Sequence, residues 1–234
     1  MATKRWRHEW KYWITWGQHQ ILRQRLRALL PQDDHANARG EYRVRSLYFD
    51  TLRDDHAFDK LAGLKGRAKY RIRIYDPEDQ WARLEVKHRS GYRVSKEGVR
   101  ITREEACDLI AGRVRKDDAR DPALTRLNMA LRRNLARPAV IVDYVREPYV
   151  YVPGNVRITF DKHLATAPFD NNLYSSNLGL LPVPLDSDLI LEIKYDGFLP
   201  LAIKRLFPSS IVGPVAASKY MLCRPTLNRW ENGT

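Results

Sequence analysis

Short stretches of the sequence place ion-bearing side chains at every second position. In the stretch 69–75 (KYRIRIY) cations alternate with apolar residues, and the stretch 83–87 (RLEVK) adds a carboxylate to the same pattern. Successive residues of a β-strand point to opposite faces of a sheet, so each stretch would have one apolar and one charged face. The charged or polar positions of five such stretches are Lys69, Arg71, Arg73, Arg83, Glu85, Lys87, Tyr144, Arg146, Arg157, Thr159, Asp161, Glu192 and Lys194.

These charged faces fit two arrangements. A half-exposed antiparallel sheet ordinarily turns its polar face to water. If the sheet closes with the charged faces inward, they instead surround a cationic cavity that contains isolated carboxylates. For any single strand the solvent-facing arrangement is the ordinary one. Two observations weaken it: solvated faces usually include Ser, Thr, Asn and Gln, whereas Arg, Lys and Glu dominate here, and carboxylate and ammonium are paired in 85–87 and 192–194.

An enclosed group of arginines and lysines requires a highly charged anion, because buried unpaired charges are unfavourable. Arginine matches phosphate oxygens with two parallel hydrogen bonds, and lysine acts as a point charge. A carboxylate among them would repel phosphate unless a divalent cation such as Mg²⁺ or Mn²⁺ lay between the two. The pattern therefore indicates metal-bound polyphosphate or a nucleoside triphosphate, and it disfavours duplex nucleic acid, which needs an exposed basic stripe.

The composition is that of a globular protein with an excess of positive charge. The 234 residues include 41 Lys and Arg against 28 Asp and Glu, a formal net charge of +13, and 44% are hydrophobic. This length supports one large domain or at most two small ones. Cys107 and Cys223 are far apart, which predicts free thiols. No uninterrupted apolar stretch has the length of a signal peptide or a membrane helix, so we expect a cytoplasmic protein.

Helix and strand signals alternate irregularly along the chain. Apolar spacing predicts a helix over 18–30. The capping box Thr102–Glu105 predicts a second helix over 102–112. Asp121-Pro122 predicts the start of a third helix, which continues through Leu135. The segment 200–223 reads as one or two helices that end in Ser-Lys-Tyr. Strands are predicted at 42–49, 69–75, 81–88, 92–101, 139–146, 149–152, 156–161 and 189–195. This order favours an α+β fold with an antiparallel sheet or barrel and helices packed outside it.

Nine segments together resemble the VTC-type polyphosphate polymerase domain, named for the vacuolar transporter chaperone, of the triphosphate tunnel metalloenzyme (CYTH-like) superfamily. The resemblance spans nearly the whole chain and implies a single domain over 1–234, an eight-stranded antiparallel β-barrel forming a tunnel, with helices outside and a C-terminal helix. In chain order the segments are RHEWKYWI (7–14), RSLYFDT (45–51), KYRIRIY (69–75), LEVKHR (84–89), SKEGVRI (95–101), DYVREPY (143–149), VRITFD (156–161), LEIKYDG (191–197) and SKY (218–220).

The resemblance also implies roles for individual residues. Glu192 would be the principal ligand of a Mn²⁺ or Mg²⁺ ion, and Glu85 would help to hold the metal or orient Lys87. Lys219 would close one end of the tunnel. The implied catalytic residues are Lys11, Arg71, Arg73, Lys87 and Arg146, and the implied phosphate-binding residues are Lys69, Lys96, Tyr144, Arg157, Lys194 and Lys219.

One departure from the superfamily bears on the reaction. Its other members carry Glu-x-Glu-x-Lys near the start, whereas Arg7 here replaces the first glutamate before Glu9 and Lys11. Fewer carboxylates should hold fewer metals, which favours phosphoryl transfer over hydrolysis by a metal-activated water.

The leading hypothesis is therefore transfer of the ATP γ-phosphoryl group to inorganic polyphosphate. The alternatives are a tunnel triphosphatase or polyphosphatase, a non-catalytic module that binds polyphosphate or phospholipid headgroups, and a nucleic-acid-binding protein. No nucleic-acid partner is expected under the leading hypothesis, and any membrane partner would have to come from outside this sequence.

Overall fold

A computed structural model describes residues 6–51, 67–90, 93–113, 121–133, 136–167, 172–211 and 213–231. Within these ranges the dominant element is a sheet whose neighbouring strands are all antiparallel. Its strands are β1 (Arg7–Ile14), β2 (Tyr42–Asp50), β3 (Arg67–Ile74), β4 (Trp81–Ser90), β5 (Arg93–Thr102), β6 (Arg137–Tyr151), β7 (Val156–Ala167), β8 (Leu181–Pro182) and β9 (Leu189–Tyr195).

Eight of these strands close into a barrel. The order around the sheet is β6-β2-β3-β4-β5-β1-β9-β7, and β7 pairs again with β6, while the two-residue β8 extends β7. Closure gives every long strand two neighbours and removes the exposed edges of an open sheet. The eight-stranded antiparallel barrel implied by the family resemblance is therefore confirmed.

Alternation along the strands sends apolar side chains outward to the helices. Ile72, Ile74 and Leu84, which lie between the charged positions of β3 and β4, belong to one buried cluster with Leu109 and Leu127. These two leucines come from helices α2 (Arg103–Ile110) and α3 (Pro122–Arg132). Burying a leucine of this kind stabilises the fold by about 1.5–3 kcal/mol, so the helices fix which face of the sheet points outward.

On the opposite side of the barrel, helix α1 (Trp16–Leu29) covers β7 and β9. Its Leu22 and Leu26 are fully buried against Ile158 and Phe160 of β7. The helix begins at a capping box in which Thr15 and Gln18 satisfy each other's backbone N–H groups. The predicted start at residue 18 was therefore two residues late, because the cap lies on Thr15.

The cap predictions for the other two helices are confirmed. Thr102 accepts from the backbone N–H of Glu105, whose side chain accepts from Thr102 in return. Asp121 caps α3, with Pro122 at its first position. Both signals are local to the sequence, which is why they could be recognised without tertiary information.

Other predicted element boundaries were wrong as well. Ser-Lys-Tyr does not end a helix: α5 (Lys219–Glu231) begins there, after the four-residue helix α4 (Leu201–Lys204). The runs 139–146 and 149–152 form the single strand β6, which passes through Pro148. β6 pairs with β2 only as far as Arg146. Pro148 lies beyond that point, so the N–H group that proline lacks is not needed for a hydrogen bond to β2.

Candidate functional site

The charged faces of the strands enclose a bore, as the inward arrangement predicted. The bore contains an inner cavity of about 100 Å³ and an outer chamber of about 410 Å³. Five lining residues are common to both: Glu9, Arg73, Lys96, Arg146 and Lys194.

Eleven of the thirteen site residues predicted from the sequence line the inner cavity. They are Lys11, Lys69, Arg71, Arg73, Lys87, Lys96, Tyr144, Arg146, Glu192, Lys194 and Lys219. The remaining two, Glu85 and Arg157, line the outer chamber. Nine of the inner-cavity residues are cationic, whereas Glu9 and Glu192 are the two carboxylates on its lining.

Glu85 is held by arginine. It pairs across β3 and β4 with Arg71, whose Nε donates to Glu85 Oε2 at 2.6 Å and whose Nη1 donates to the Tyr48 hydroxyl at 2.8 Å. Burial would raise the pKa of Glu85, but Arg71 and Arg73 hold it well below its ordinary value. The ionised carboxylate therefore orients Arg71, and its oxygens are already engaged.

A second group of charges joins β1, β4 and β9. Lys11 Nζ lies 3.6 Å from Glu9 Oε1 and 3.7 Å from Glu192 Oε2. Lys87 donates to both oxygens of Glu9, at 2.7 and 3.0 Å, and Lys194 donates to Glu192. Burial would raise the pKa of both carboxylates, but the surrounding ammonium groups lower it. Both glutamates are therefore ionised and paired.

Burial acts in the opposite direction on the lysines of this group. It lowers the pKa of Lys194 to about 8 and also lowers that of Lys11, although Glu9 and Glu192 partly offset the effect. Neighbouring cations add to the lowering: Arg146 and Lys87 for Lys194, and Lys87 and Lys219 for Lys11. A bound anion would reverse these shifts, because it favours the charged form of each ammonium.

A third group joins β6, β7 and the start of α5. Arg146 donates from Nε and Nη2 to the two oxygens of Asp161 at 2.7 and 2.8 Å, and Lys219 Nζ lies 2.5 Å from Asp161 Oδ2. The Tyr144 ring centroid is 5.3 Å from Arg146 Cζ and 4.8 Å from Lys219 Nζ. Because Lys219 is the first residue of α5, the positive end of the helix dipole adds to the cationic potential here.

Three other predicted phosphate-binding residues differ in their surroundings. Lys69 Nζ is 4.4 Å from the centroid of the Tyr220 ring. Lys96 has a side chain that is 34% exposed. Arg157 donates to the Tyr42 hydroxyl at 2.8 Å and is absent from the inner-cavity lining. Lys69 lines the inner cavity, Lys96 lines both cavities, and Arg157 lines the outer chamber.

The carboxylates fit a divalent cation only together with phosphate. Within the described ranges no three His, Cys, Asp or Glu residues are grouped closely enough to hold a metal. Mg²⁺ is commonly bound by one or two carboxylates, with substrate phosphates and water supplying its other ligands. Glu9 and Glu192, on either side of Lys11, fit that donor set, whereas arginine already occupies Glu85 and Asp161.

Sequence reasoning missed four residues that line the inner cavity: Glu9, Tyr48, Ser218 and Tyr220. It also gave no role to Asp161, although Asp161 holds two of the predicted residues. Strand alternation contained a signal for Glu9, which is two residues before Lys11 and therefore on the same face. Tyr48 gave no such signal, because its neighbours on β2 are not charged in the same pattern.

Comparison with known proteins agrees with this geometry. The model of the VTC domain family matches residues 6–228. The chain belongs to the VTC domain family. No curated protein matches the chain.

Two solved structures share the fold of this VTC domain. One is a putative adenylate cyclase from Bacillus halodurans, with 14% identity, a TM-score of 0.54, and coverage of 92% of this chain and 96% of the other. The second is a putative adenylyl cyclase from Hippeastrum described as having a dominant triphosphatase activity, with 18% identity, a TM-score of 0.53, and coverage of 94% and 96%. These two structures therefore have the same fold as this barrel.

None of the helices in the described ranges combines the length and the apolar composition needed to cross a membrane.

Proposed function

We propose that this VTC domain is a polyphosphate polymerase that transfers the γ-phosphoryl group of ATP to the end of an inorganic polyphosphate chain. The proposal rests on the imbalance of charge around the inner cavity, where nine cations on the lining pair with only four of the described carboxylates, Glu9, Glu192, Glu85 and Asp161. Most of these cations are at least partly enclosed, so the imbalance is unfavourable until a polyanion compensates it.

The bore supplies the two requirements of phosphoryl transfer, positioning and charge neutralisation. Arg71, Arg73 and Arg146 present planar guanidinium groups that match phosphate oxygens, and the lysines add point charges. Glu85 and Asp161 hold Arg71 and Arg146 in place through direct hydrogen bonds. These arginines are thus oriented before substrate binds, which avoids reorganisation during the reaction.

The reaction requires no side-chain nucleophile. An oxygen of the terminal phosphate of the polyphosphate chain forms a bond to the γ-phosphorus of ATP. The bond from that phosphorus to the bridging β–γ oxygen breaks, and ADP leaves with the electron pair. Lys11 and Lys194, which line the inner cavity, place positive charge beside the phosphates and stabilise the negative charge that develops on the leaving oxygen.

A Mn²⁺ or Mg²⁺ ion would be held by Glu192 and Glu9 together with phosphate oxygens. The chemistry it supplies when bound is neutralisation of adjacent phosphate groups. Glu192 lies on the lining of the inner cavity, and Arg146 Nη2 and Lys11 Nζ lie 3.6 and 3.7 Å from its oxygens. These two cations would help to position the phosphates beside the metal.

Incubation of the purified protein with ATP and Mn²⁺, followed by gel staining for polymer and assay of free orthophosphate, tests the proposal. We expect ATP to be converted to ADP with its phosphate recovered as acid-labile polymer. Recovery as free orthophosphate would instead indicate a triphosphatase, the activity described for the Hippeastrum neighbour. Binding of polyphosphate without ATP turnover would indicate a non-catalytic module.

A further inference from the structure

The outer chamber differs from the inner cavity in both size and chemistry. Its volume of about 410 Å³ is four times that of the inner cavity and falls in the range of small-molecule sites, about 300–1,000 Å³. Beside its cations it adds groups that a phosphate chain does not need, notably Tyr42, Tyr75, Asn155 and Asp196. Such a lining suits a ligand that has an aromatic face and hydroxyl groups.

Tyr75 presents an accessible ring at this chamber. Its side chain is 45% exposed although it lines the chamber. The ring packs edge-on against Tyr42, with centroids 5.6 Å apart and an interplanar angle of 77°. Tyr42 is itself anchored, because its hydroxyl accepts a hydrogen bond from Arg157 at 2.8 Å. The pair therefore forms a supported aromatic surface at the mouth of the bore.

The turn that carries Tyr75 is held by its own side chains. The backbone N–H groups of Tyr75 and Asp76 donate to Asp79 Oδ2 at 2.7 and 2.9 Å, and the N–H of Glu78 donates to Asp76 Oδ1 at 2.8 Å. Arg103 of α2 donates to the carbonyl of Pro77 at 3.2 Å. A ring on a fixed turn loses little entropy when a ligand stacks on it.

Hydrogen-bond acceptors lie elsewhere on the wall of the same chamber. Asp196 accepts from Asn155 Nδ2 at 3.0 Å and lies 3.6 Å from Arg7 Nε. Lysine and arginine can only donate, so the hydroxyl groups of a sugar need a carboxylate or amide oxygen as acceptor. Asp196 and Asn155 supply those oxygens beside the phosphate-binding cations.

We propose that the outer chamber is a nucleoside-binding site, in which the base of the donor nucleotide stacks on Tyr75 and its ribose hydroxyls bond to Asp196. The inference rests on the proposed function, because it takes the donor to be a nucleoside triphosphate. Arg73, Arg146 and Lys194 line both cavities, so a triphosphate in the inner cavity leads directly into the chamber. The site distinguishes a nucleotide donor from an inorganic chain of the same charge.

Calorimetric titration of ATP and of inorganic tripolyphosphate, in the same buffer with Mg²⁺, tests this assignment. Stacking of a base on an aromatic side chain predicts that Tyr75→Ala weakens ATP binding about tenfold. Tripolyphosphate binding should change less than twofold. Tyr75→Phe should keep the wild-type ratio of the two affinities. Phe198→Ala, which removes an exposed aromatic ring that is not on the chamber lining, is the matched control and should also keep that ratio.

The assignment is overturned if Tyr75→Ala weakens both ligands equally, if it weakens neither, or if the wild-type protein does not bind ATP. The polymerase proposal fails by a different result, namely ATP binding with the Tyr75 dependence but no polymer. The two proposals are therefore tested separately by titration and by product analysis.

Discussion

Two buried ionic clusters on opposite faces of the same strands differ in their balance of charge. Inside the barrel, nine cations line the inner cavity, and the described carboxylates that pair with them number four, namely Glu9, Glu192, Glu85 and Asp161. Outside it, beneath α1, Glu147 of β6 accepts hydrogen bonds from Arg23 at 2.8 Å, Tyr149 at 2.7 Å and Lys162 at 3.1 Å, and lies 3.0 Å from the ring of His19. There the two cations, Arg23 and Lys162, pair with two carboxylates, Glu147 and Glu41.

Burial of charge does not by itself indicate a ligand site. The Glu147 cluster is complete as it stands: Lys162 bonds Glu41 at 2.6 Å as well as Glu147, so each cation has its own carboxylate. Such a cluster joins α1 to the barrel and needs no further ion to neutralise it. In the inner cavity the cations outnumber the carboxylates that pair with them. An unbalanced cluster requires an ion from outside the protein.

The largest change in ATP turnover is expected from a substitution in the inner cavity. Arg71→Met should lower ATP turnover about 10²–10³-fold, because it removes an oriented donor to the transferring phosphate. Thermal unfolding followed by circular dichroism should show a folded barrel. Arg25→Met is the matched control, since Arg25 is exposed and donates to the carbonyl of Leu206 outside the bore, and its turnover should equal that of the wild type. Equal turnover of Arg71→Met and Arg25→Met would reject the assignment.

The opposite result, a loss of stability without a loss of turnover, is expected for the Glu147 cluster. Glu147→Gln should destabilise the protein by about 3 kcal/mol, because it leaves the charges of Arg23 and Lys162 without their shared carboxylate. Turnover per folded molecule should stay at the wild-type value, since Glu147 is not on the lining of either cavity. Urea unfolding measures the stability, and assays well below the midpoint measure the turnover. A loss of turnover without a loss of stability would contradict the comparison.

Binding of a polyanion should distinguish the two clusters by its effect on stability. Inorganic tripolyphosphate at about 100 times its dissociation constant should stabilise the wild type by about 2.7 kcal/mol. For a chain of this size that corresponds to a rise in Tm of about 5–10 °C. The Glu147→Gln variant should show the same rise from a lower starting Tm, and Arg71→Met a clearly smaller one. Equal rises in all three proteins would place the ligand outside the bore.

The smallest expected effect is a dependence of stability on pH. Burial would raise the pKa of Glu147, but hydrogen bonds from His19 and Tyr149 and the charge of Lys162 lower it below its ordinary value of 4.5. Unfolding therefore lets Glu147 take up a proton below about pH 4.5, and its contribution to stability, complete above that pH, is lost as pH falls. The stability difference between wild type and Glu147→Gln, from urea curves, should thus shrink between pH 6 and pH 3. A constant difference would show that the Glu147 charge does not contribute.

The inward faces could be predicted from the sequence, and several of their contacts could not. Alternation in β3 and β4 assigned Arg71, Arg73 and Lys87 to one side, because the period of a strand is fixed by local geometry. The partners of these residues depend on pairings between distant segments. Glu9 accepts a hydrogen bond from Lys87, which is 78 residues away in the sequence. No local sequence pattern predicts such a contact.

The role of Glu147 shows the same limit on the outside of the barrel. It lies between Arg146, which points inward, and Pro148, and the sequence alone does not distinguish a solvated glutamate from a buried one. Its partner His19 is 128 residues away on α1. The packing of α1 on β7 decides the outcome, because that packing excludes water from the carboxylate. Burial of this kind is a property of the closed fold and is not visible in any single segment.

A crystal structure of the protein with inorganic tripolyphosphate would test most directly whether the unbalanced charge of the inner cavity is a phosphate site. We expect a chain of phosphate density in the inner cavity, with oxygens within hydrogen-bonding distance of Arg71, Arg73 and Arg146. Phosphate bound only on the exposed basic residues of α1, with the inner cavity occupied by water and its ion pairs unchanged, would contradict this expectation.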